Sequence, residues 1–381
     1  MKKNLYLEHI ESIPELIAEV FPVLNNEAAR IAEEVSDWPL QSVYLYGSGD
    51  SWAAALGATG AFMKFCGLPS YAFTSMQASR YAPGYCMPAP KSVLIIGISS
   101  SGYMRRGVEA TMSMNQAGYY PILLTSNPQS PGGQAADMIF YTPVPKFDTT
   151  PVPGVRSYMT AQISLYLLAV HLSLKKGKIS HKEADKIIEE LSHSGVILSA
   201  ALRENRSILQ AFGKLCAKEE RVEFLAAGPC RASADFGMAK TLEATGYTAL
   251  SPELEEFAHM NFFSLDPQHI PTVLICSEDA RCLTRCLEIE LSMKYQQRPY
   301  IVITDSHKFS ARPDQTVLIP SSVNEIFSPM IFSFLTACLT AYMPLREGDT
   351  YMHGHQGPYF EGPFEKGNGF PTIMNSKIIL K

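Results

Sequence analysis

Positive charge is in short supply, with 32 lysines and arginines against 37 aspartates and glutamates and a net charge near −5. No summed positive field exists to draw in a polyanion, so nucleic acid is excluded as the main partner. Cys-x-x-Cys pairs are missing as well. The eight cysteines are scattered at 66, 86, 216, 230, 276, 282, 286 and 338, which argues against a zinc ribbon and predicts reduced, mostly buried thiols in a cytoplasmic protein. Cys282 and Cys286, one helical turn apart, read as core thiols and not as a redox pair. Apolar runs of spanning length are lacking too. Residues 329–345 carry no charge but include Ser333, Thr336, Thr340 and Pro344, short of the ~20 strongly apolar residues a span needs. They are predicted to form a buried helix, and no membrane partner is expected. Glu8, His9 and Glu11 interrupt the N-terminus before an apolar stretch forms, so no secretory signal is expected.

What is present is core material: 46% of the 381 residues are hydrophobic and 18% charged, which suits two domains or one large α/β unit. Residues 1–37 read as a helical N-terminal segment, with Ile10, Ile13, Leu16, Ile17, Val20, Phe21 and Leu24 at helical spacing, broken by Pro14 and Pro22. Three short apolar runs follow, near 43–46, 93–98 and 121–125. Each ends in Gly, Ser or Asn, and the first two lead into helical patterns, the second over about 104–117. Continuous apolar strands alternating with helices indicate a parallel sheet covered on both faces, a doubly wound α/β fold.

The same grammar returns after a shift of 179 residues, Val43 with Gly49 matching Val222 with Gly228, and Leu123 matching Val302. The middle strand, 93–98 against 273–276, fits to within one residue. This predicts an internal duplication. The expected division is 38–175 for the first copy, a helical connector at 176–217, 218–345 for the second copy, and an irregular, glycine- and proline-rich tail at 346–381.

Ligands of parallel α/β sheets sit at the carboxyl ends of strands. Ser99-Ser100-Ser101-Gly102 stands at such a place, where hydroxyls and backbone N–H groups at a helix start can form an anion nest. Serine and glycine also cap helices for structural reasons alone. Gly47-Ser48-Gly49-Asp50-Ser51 holds the equivalent place after the first strand. It lacks the third glycine of a dinucleotide fingerprint, and no acidic residue closes the next strand, so a nicotinamide cofactor is excluded. Further on, Lys240 and Glu243 fall on one helical face, and His259 follows an acidic run. An ammonium, a carboxylate and an imidazole in one pocket could open a sugar ring and move protons at carbon; an exposed helix salt bridge with an incidental histidine is the competing reading. His353-Gly354-His355 is poor evidence for zinc without neighbouring Cys or carboxylates. No metal site is expected.

With these residues in view, the chain resembles the sugar isomerase (SIS) family in its tandem form, which includes the isomerase half of glucosamine-6-phosphate synthase and the fructosamine-6-phosphate deglycases. Ser99-Ser100-Ser101-Gly102 resembles the family's phosphate loop, and Gly47, Ser48, Gly49 and Ser51 its first substrate loop. Lys240-x-x-Glu243 followed by Glu256-Phe257-Ala258-His259 is similar to the synthase's isomerase site in residue type and spacing. The resemblance implies two flavodoxin-like SIS domains acting on a sugar phosphate, without cofactor or metal. It makes Glu243 the proton shuttle and His259 a ring-opening group contributed across a homodimer interface. Lys377, in Asn375-Ser376-Lys377-Ile378, becomes a carbonyl-contacting amine able to form an imine, with a solvated terminal lysine as the competing view. The implied activity is aldose–ketose isomerisation of a sugar or amino-sugar 6-phosphate; deglycation or deamination, and a non-catalytic sugar-phosphate sensor, are the alternatives. The chain departs from the pattern at Met104, where the family has threonine and where Arg105 or Arg106 could substitute. It departs again at Met260-Asn261 in place of Gly-Pro, and at Val155-Arg156-Ser157 in place of Ser-Thr-Lys. No glutamine-hydrolysing domain is recognised, so glutamine-driven amination by this chain alone is not expected.

Overall fold

Short, continuous apolar runs build two parallel sheets in a computed structural model that describes residues 4–85, 87–148, 151–309, 312–353, 373–374 and 376–380. The chain divides into two units. The first takes the described residues of 15–146, 156–193 and 357–381, and the second those of 1–14, 147–155 and 194–356. In the first, β1 (Ser42–Gly47), β2 (Ser70–Thr74), β3 (Val93–Ile98), β4 (Ile122–Thr125) and β5 (Met138–Tyr141) are all parallel, in the order β2-β1-β3-β4-β5. Every residue of β3 is buried, as a central strand covered on both faces must be. In the second unit, β6 (Arg221–Leu225), β7 (Thr248–Leu250), β8 (Thr272–Ile275), β9 (Tyr300–Thr304) and β10 (Thr316–Leu318) run β10-β9-β8-β6-β7, again all parallel. Both orders reverse at one point, between β1 and β3 and between β6 and β8, where doubly wound sheets bind ligands. The duplication read from the sequence is thus a duplication of topology.

The N-terminal helices are Leu5–Glu11 and Ile13–Glu34. Pro14 sits in a first turn, where its missing N–H costs nothing. Pro22, expected to interrupt the helix, lies inside it. An interior proline costs ~3 kcal/mol, but Leu16, Ile17, Val20, Leu24 and Ile31 are all buried, and each such side chain contributes roughly 1.5–3 kcal/mol. The buried stripe therefore carries the helix through. The stretch 176–217 consists of His181–Ser192, which belongs to the first unit, and Ser194–Cys216, which belongs to the second.

Uncharged residues after 328 form the helix Ser328–Ala341, buried along its whole length. Among the described residues no helix is long and apolar enough to cross a membrane. This helix packs on Arg231–Thr245 through small and hydroxyl-bearing residues spaced a turn apart. Ser333 donates to Ser233 at 3.1 Å, and the Thr241 and Thr340 hydroxyls lie 3.2 Å apart. Between them, a Cβ on Gly237 would stand 2.7 Å from the Phe224 ring and 2.9 Å from Thr336 Cβ. Close approach at Gly237 and the flanking hydroxyl contacts together fix where the rest of Arg231–Thr245 points.

One ion pair lies wholly inside the second unit. Arg298 and Glu223 are both fully buried and 2.8 Å apart. Arg298 also donates to Thr272 Oγ1 at 3.0 Å and to the Asn261 carbonyl at 3.0 Å, while Asn261 Nδ2 donates to Glu223 at 3.0 Å. Burial pushes the guanidinium pKa down against the pull of Glu223. The pair thus ties β6 and β8 to the segment that follows His259. Arg298→Ala, which takes from the buried Glu223 carboxylate its nearest cation and leaves it Arg221 at 3.5 Å, is expected to lower unfolding free energy by about 3 kcal/mol in urea titrations, and the double change Glu223→Leu with Arg298→Met by much less. Equal costs for the two would show that the pairing itself is not what the packing depends on.

Candidate functional site

The two glycine- and serine-rich loops of the first unit leave adjacent strands at the same sheet edge. After β1, Gly49 caps the helix Asp50–Ala61, Ser51 donates its N–H to the Ser48 carbonyl at 3.1 Å, and the exposed Ser48 donates to Ser75 Oγ at 2.9 Å. After β3, Ser99 continues the ladder by donating its N–H to the Leu124 carbonyl at 3.0 Å. Its buried Oγ accepts the Gly102 N–H at 3.2 Å, and the exposed Ser101 Oγ accepts the Tyr103 N–H at 3.3 Å. In each case the oxygen is the acceptor, which leaves the hydroxyl hydrogen available to an incoming anion. The capping role and the anion-binding role are therefore compatible.

Gly102 is required at its position. Its φ is +70°, and a Cβ there would fall 1.8 Å from Ser130 Oγ. The Ser100 carbonyl is gripped from β4 by the Thr125 hydroxyl at 3.0 Å, the Ser126 N–H at 3.0 Å and the Ser126 hydroxyl at 2.9 Å, and the Gly102 carbonyl accepts the Gly132 N–H at 3.0 Å. Sequence reasoning assigned no role to Thr125, Ser126 and Ser130. Their place after a third parallel strand is the signal that could have found them.

The helix Arg105–Gln116 starts three residues beyond Gly102. Arg105 and Arg106, considered as stand-ins for the missing loop threonine, are committed to the C-terminal segment. Arg105 donates its backbone N–H to the Ile373 carbonyl and its Nε to the Met374 carbonyl, both at 3.0 Å. Arg106 bonds the Lys377 carbonyl and Ser376 Oγ, and forms an ion pair with Glu109. Glu109 is fully buried, pairs also with Arg80 at 2.8 Å, and accepts the Ile379 N–H at 3.3 Å. Residues 376–380 are thus held against the helix that follows the serine loop, through their backbone. The Lys377 side chain is exposed. Asn375 and the stretch 354–372, with His355, lie outside the described residues; His353 pairs with Asp349 at 2.8 Å.

In the second unit, Lys240 and Glu243 form an ion pair on one helical face, as their spacing requires. Lys240 is fully buried and Glu243 is 36% exposed, so this is not a solvated surface pair. The ammonium, 5.4 Å above the Phe236 ring, presents the carboxylate outward. His259 ends the short helix Leu254–His259 and is 69% exposed, with Glu255 at 3.5 Å. Glu255 is clamped by Arg285 at 2.6 Å, whose hydrogen bond holds the carboxyl below its usual range. Among the described residues no hydrogen bond or ion pair joins His259 to Glu243. Beside His259, Met260, Phe263 and Leu265 are exposed.

Residues 38–172 match the family model described as SIS domain. No curated protein matches the sequence. Among solved structures, the chain is similar to the C-terminal domain of glucosamine-fructose-6-phosphate aminotransferase from Francisella tularensis, with a TM-score of 0.78 at 16% identity over 90% of this chain and 96% of that one. It is similar to tagatose-6-phosphate ketose/aldose isomerase from Escherichia coli, with a TM-score of 0.67 at 16% identity over 91% and 94%. It is also similar to glucosamine-6-phosphate deaminase from Thermotoga maritima, with a TM-score of 0.61 at 13% identity over 86% and 92%. At these identities the likeness establishes the fold.

The tie between Glu109 and the C-terminal segment is directly testable. Glu109→Ala removes the acceptor of the Ile379 amide and strands Arg80 and Arg106, and charge-assisted bonds of this kind are each worth about 1.5–3 kcal/mol. Hydrogen exchange over 376–380 is expected to accelerate by roughly tenfold or more, whereas an unchanged rate would show that the segment is anchored elsewhere.

Proposed function

From the premise that this is a SIS-domain protein whose second unit repeats the strand order of the first, we propose that it is an enzyme of the phosphosugar isomerase type. Its substrate would be a sugar or amino-sugar 6-phosphate. The observation that carries the reading is the Lys240–Glu243 pair, an ammonium with no exposure presenting a half-exposed carboxylate. A pure ligand-binding module has no use for that arrangement, and this disfavours the sensor alternative.

In the proposed reaction the hydroxyls of Ser99 and Ser101, with the neighbouring backbone, take the phosphate. The loop Gly47-Ser48-Gly49 with Ser51 contacts the sugar. His259 moves a proton between the ring oxygen and the anomeric hydroxyl to open the ring. Glu243 removes the proton from one of the first two carbons and returns it to the other through an enediol or enolamine. Lys240 acts by orienting Glu243. Proton transfer between adjacent carbons calls for no redox cofactor. The exposed position of His259, followed in the chain by the exposed apolar residues Met260, Phe263 and Leu265, supports its contribution across a homodimer interface, since exposed apolar side chains gathered in one segment suit a partner better than solvent.

Amine release is the second reading. It shares the enediol or enolamine intermediate with isomerisation, but the exposed Lys377 side chain is that of a solvated lysine and not of an imine-forming amine, which needs a closed, apolar site. Incubation with fructose 6-phosphate, glucosamine 6-phosphate and a phosphorylated fructosamine, followed by assays for the isomer, for ammonia and for free amino acid, separates the two. Product from none of the three would refute the enzymatic reading. Glu243→Gln keeps a carbonyl oxygen for the Lys240 ammonium to bond, so the variant is expected to fold and to bind sugar phosphate within about twofold. It should nevertheless lose about 10²–10⁴ in kcat, the usual worth of a positioned acid–base group. Unchanged turnover would remove Glu243 from the mechanism.

A further inference from the structure

We infer that Cys276, Cys282 and Cys286 form a binding site for a thiophilic d10 cation of the zinc type, at the carboxyl edge of the second sheet. The three sulfurs lie within 4.8 Å of one another, with Cys282 and Cys286 Sγ 3.9 Å apart. Tetrahedral zinc with Zn–S bonds near 2.3 Å sets its ligand sulfurs about 3.8 Å apart, so the cluster needs to contract by less than about 1 Å to coordinate.

The backbone fixes all three positions. Cys276 follows β8 directly and donates its N–H to the Ile303 carbonyl at 3.2 Å. Cys282 caps the helix Leu283–Tyr295, and Cys286 lies one turn inside it. One sulfur thus comes from a strand end and two from a helix start, converging at the switch point of the sheet. Cys276 occupies the place that Ser99 holds in the first unit, for Ser99 donates in the same way to Leu124, the counterpart of Ile303. The repeat therefore puts thiols where its twin has hydroxyls. A sequence reading sees only Cys282 and Cys286 as neighbours. Cys276 joins them through the fold.

The surroundings suit a soft cation. Cys276 and Cys286 are buried among Leu225, Leu254, Leu274, Tyr300 and Phe309, an apolar shell that strengthens metal–thiolate bonds. Cys282 is partly exposed, which gives an entry path and a fourth coordination position for water or another ligand. A disulfide would use two sulfurs and leave the third without a purpose; all three are free. Binding exchanges three S–H bonds for three metal–sulfur bonds and sends three protons to solvent, with no change of oxidation state. Thiolate donors favour zinc over magnesium, calcium or manganese. None of this depends on the sugar-phosphate reading.

The test uses the full chain, reduced, stripped of metal and loaded separately with Zn2+ and Co2+. One Zn2+ per chain is expected to survive gel filtration. The Co2+ form should show sulfur-to-cobalt charge transfer in the near ultraviolet with the intense visible bands of a tetrahedral site. Cys282→Ser, a change at the partly exposed ligand, should weaken Zn2+ at least tenfold and reduce the charge-transfer band, while Cys216→Ala, a buried thiol elsewhere in the same unit, should alter neither. Wild-type protein that retains no Zn2+, a Co2+ spectrum without sulfur charge transfer, or Zn2+ affinity indifferent to Cys282→Ser would each overturn the assignment. The wild-type cobalt spectrum decides the matter even if the variant does not fold.

Discussion

When β1 pairs in parallel with β3, Ser42 opposite Val93 through Tyr46 opposite Gly97, both strands must deliver their carboxyl ends, and the turns that follow, to one edge of the sheet. That constraint places Gly47–Ser51 beside Ser99–Gly102 without any direct attraction between the two loops. β6 and β8 repeat it, Glu223 opposite Thr272 through Leu225 opposite Leu274. Every candidate group in either unit, hydroxyl or thiol, owes its position to parallel pairing at a switch point, with helix starts supplying the rest.

Within that frame the units diverge in what they install. The first fills its edge with serines: the Ser100 carbonyl is fastened by Thr125 and Ser126, and the Ser99 and Ser101 oxygens accept amides of their own loop, leaving those two hydroxyl hydrogens to donate. The second places Cys276 at the matching position and carries the Lys240–Glu243 ion pair on Arg231–Thr245. There the hydroxyl contacts Ser233–Ser333 and Thr241–Thr340, and the close approach at Gly237, hold Lys240 where water does not reach it. Burial converts a commonplace i, i+3 pair into a fixed carboxylate. The Arg298–Glu223 pair does comparable work for the segment after His259, because Asn261 is bonded through both its side chain and its carbonyl.

Much of this was legible in the amino-acid sequence, and what was not has identifiable reasons. Continuous apolar strands, small-residue turns and the 179-residue repeat announced two parallel sheets because each signal is local or periodic. The serine loops could be placed because each directly follows a strand that is recognisable on its own. Helix continuity through Pro22 could not be read, since it depends on a buried stripe whose burial is decided by tertiary packing. Nor could the burial of Lys240, because the sequence shows that two side chains share a face without showing what covers that face. The commitment of Arg105 and Arg106 to a segment some 270 residues away, and the arrival of Cys276 beside Cys282 and Cys286, are long-range events with no local signature.

The anchoring of the last residues has its own implication. Arg80, Arg105, Arg106 and Glu109 grip carbonyl oxygens and an amide of the described residues of 373–380, and among those residues the one side chain they are seen to hydrogen-bond is that of Ser376. A mooring that holds the main chain is indifferent to the identity of most residues it secures. The functional group displayed at position 377 can therefore be exchanged by point mutation without loosening the terminus, so this end of the molecule is a place where new reactivity could be tried while the scaffold stays as it is.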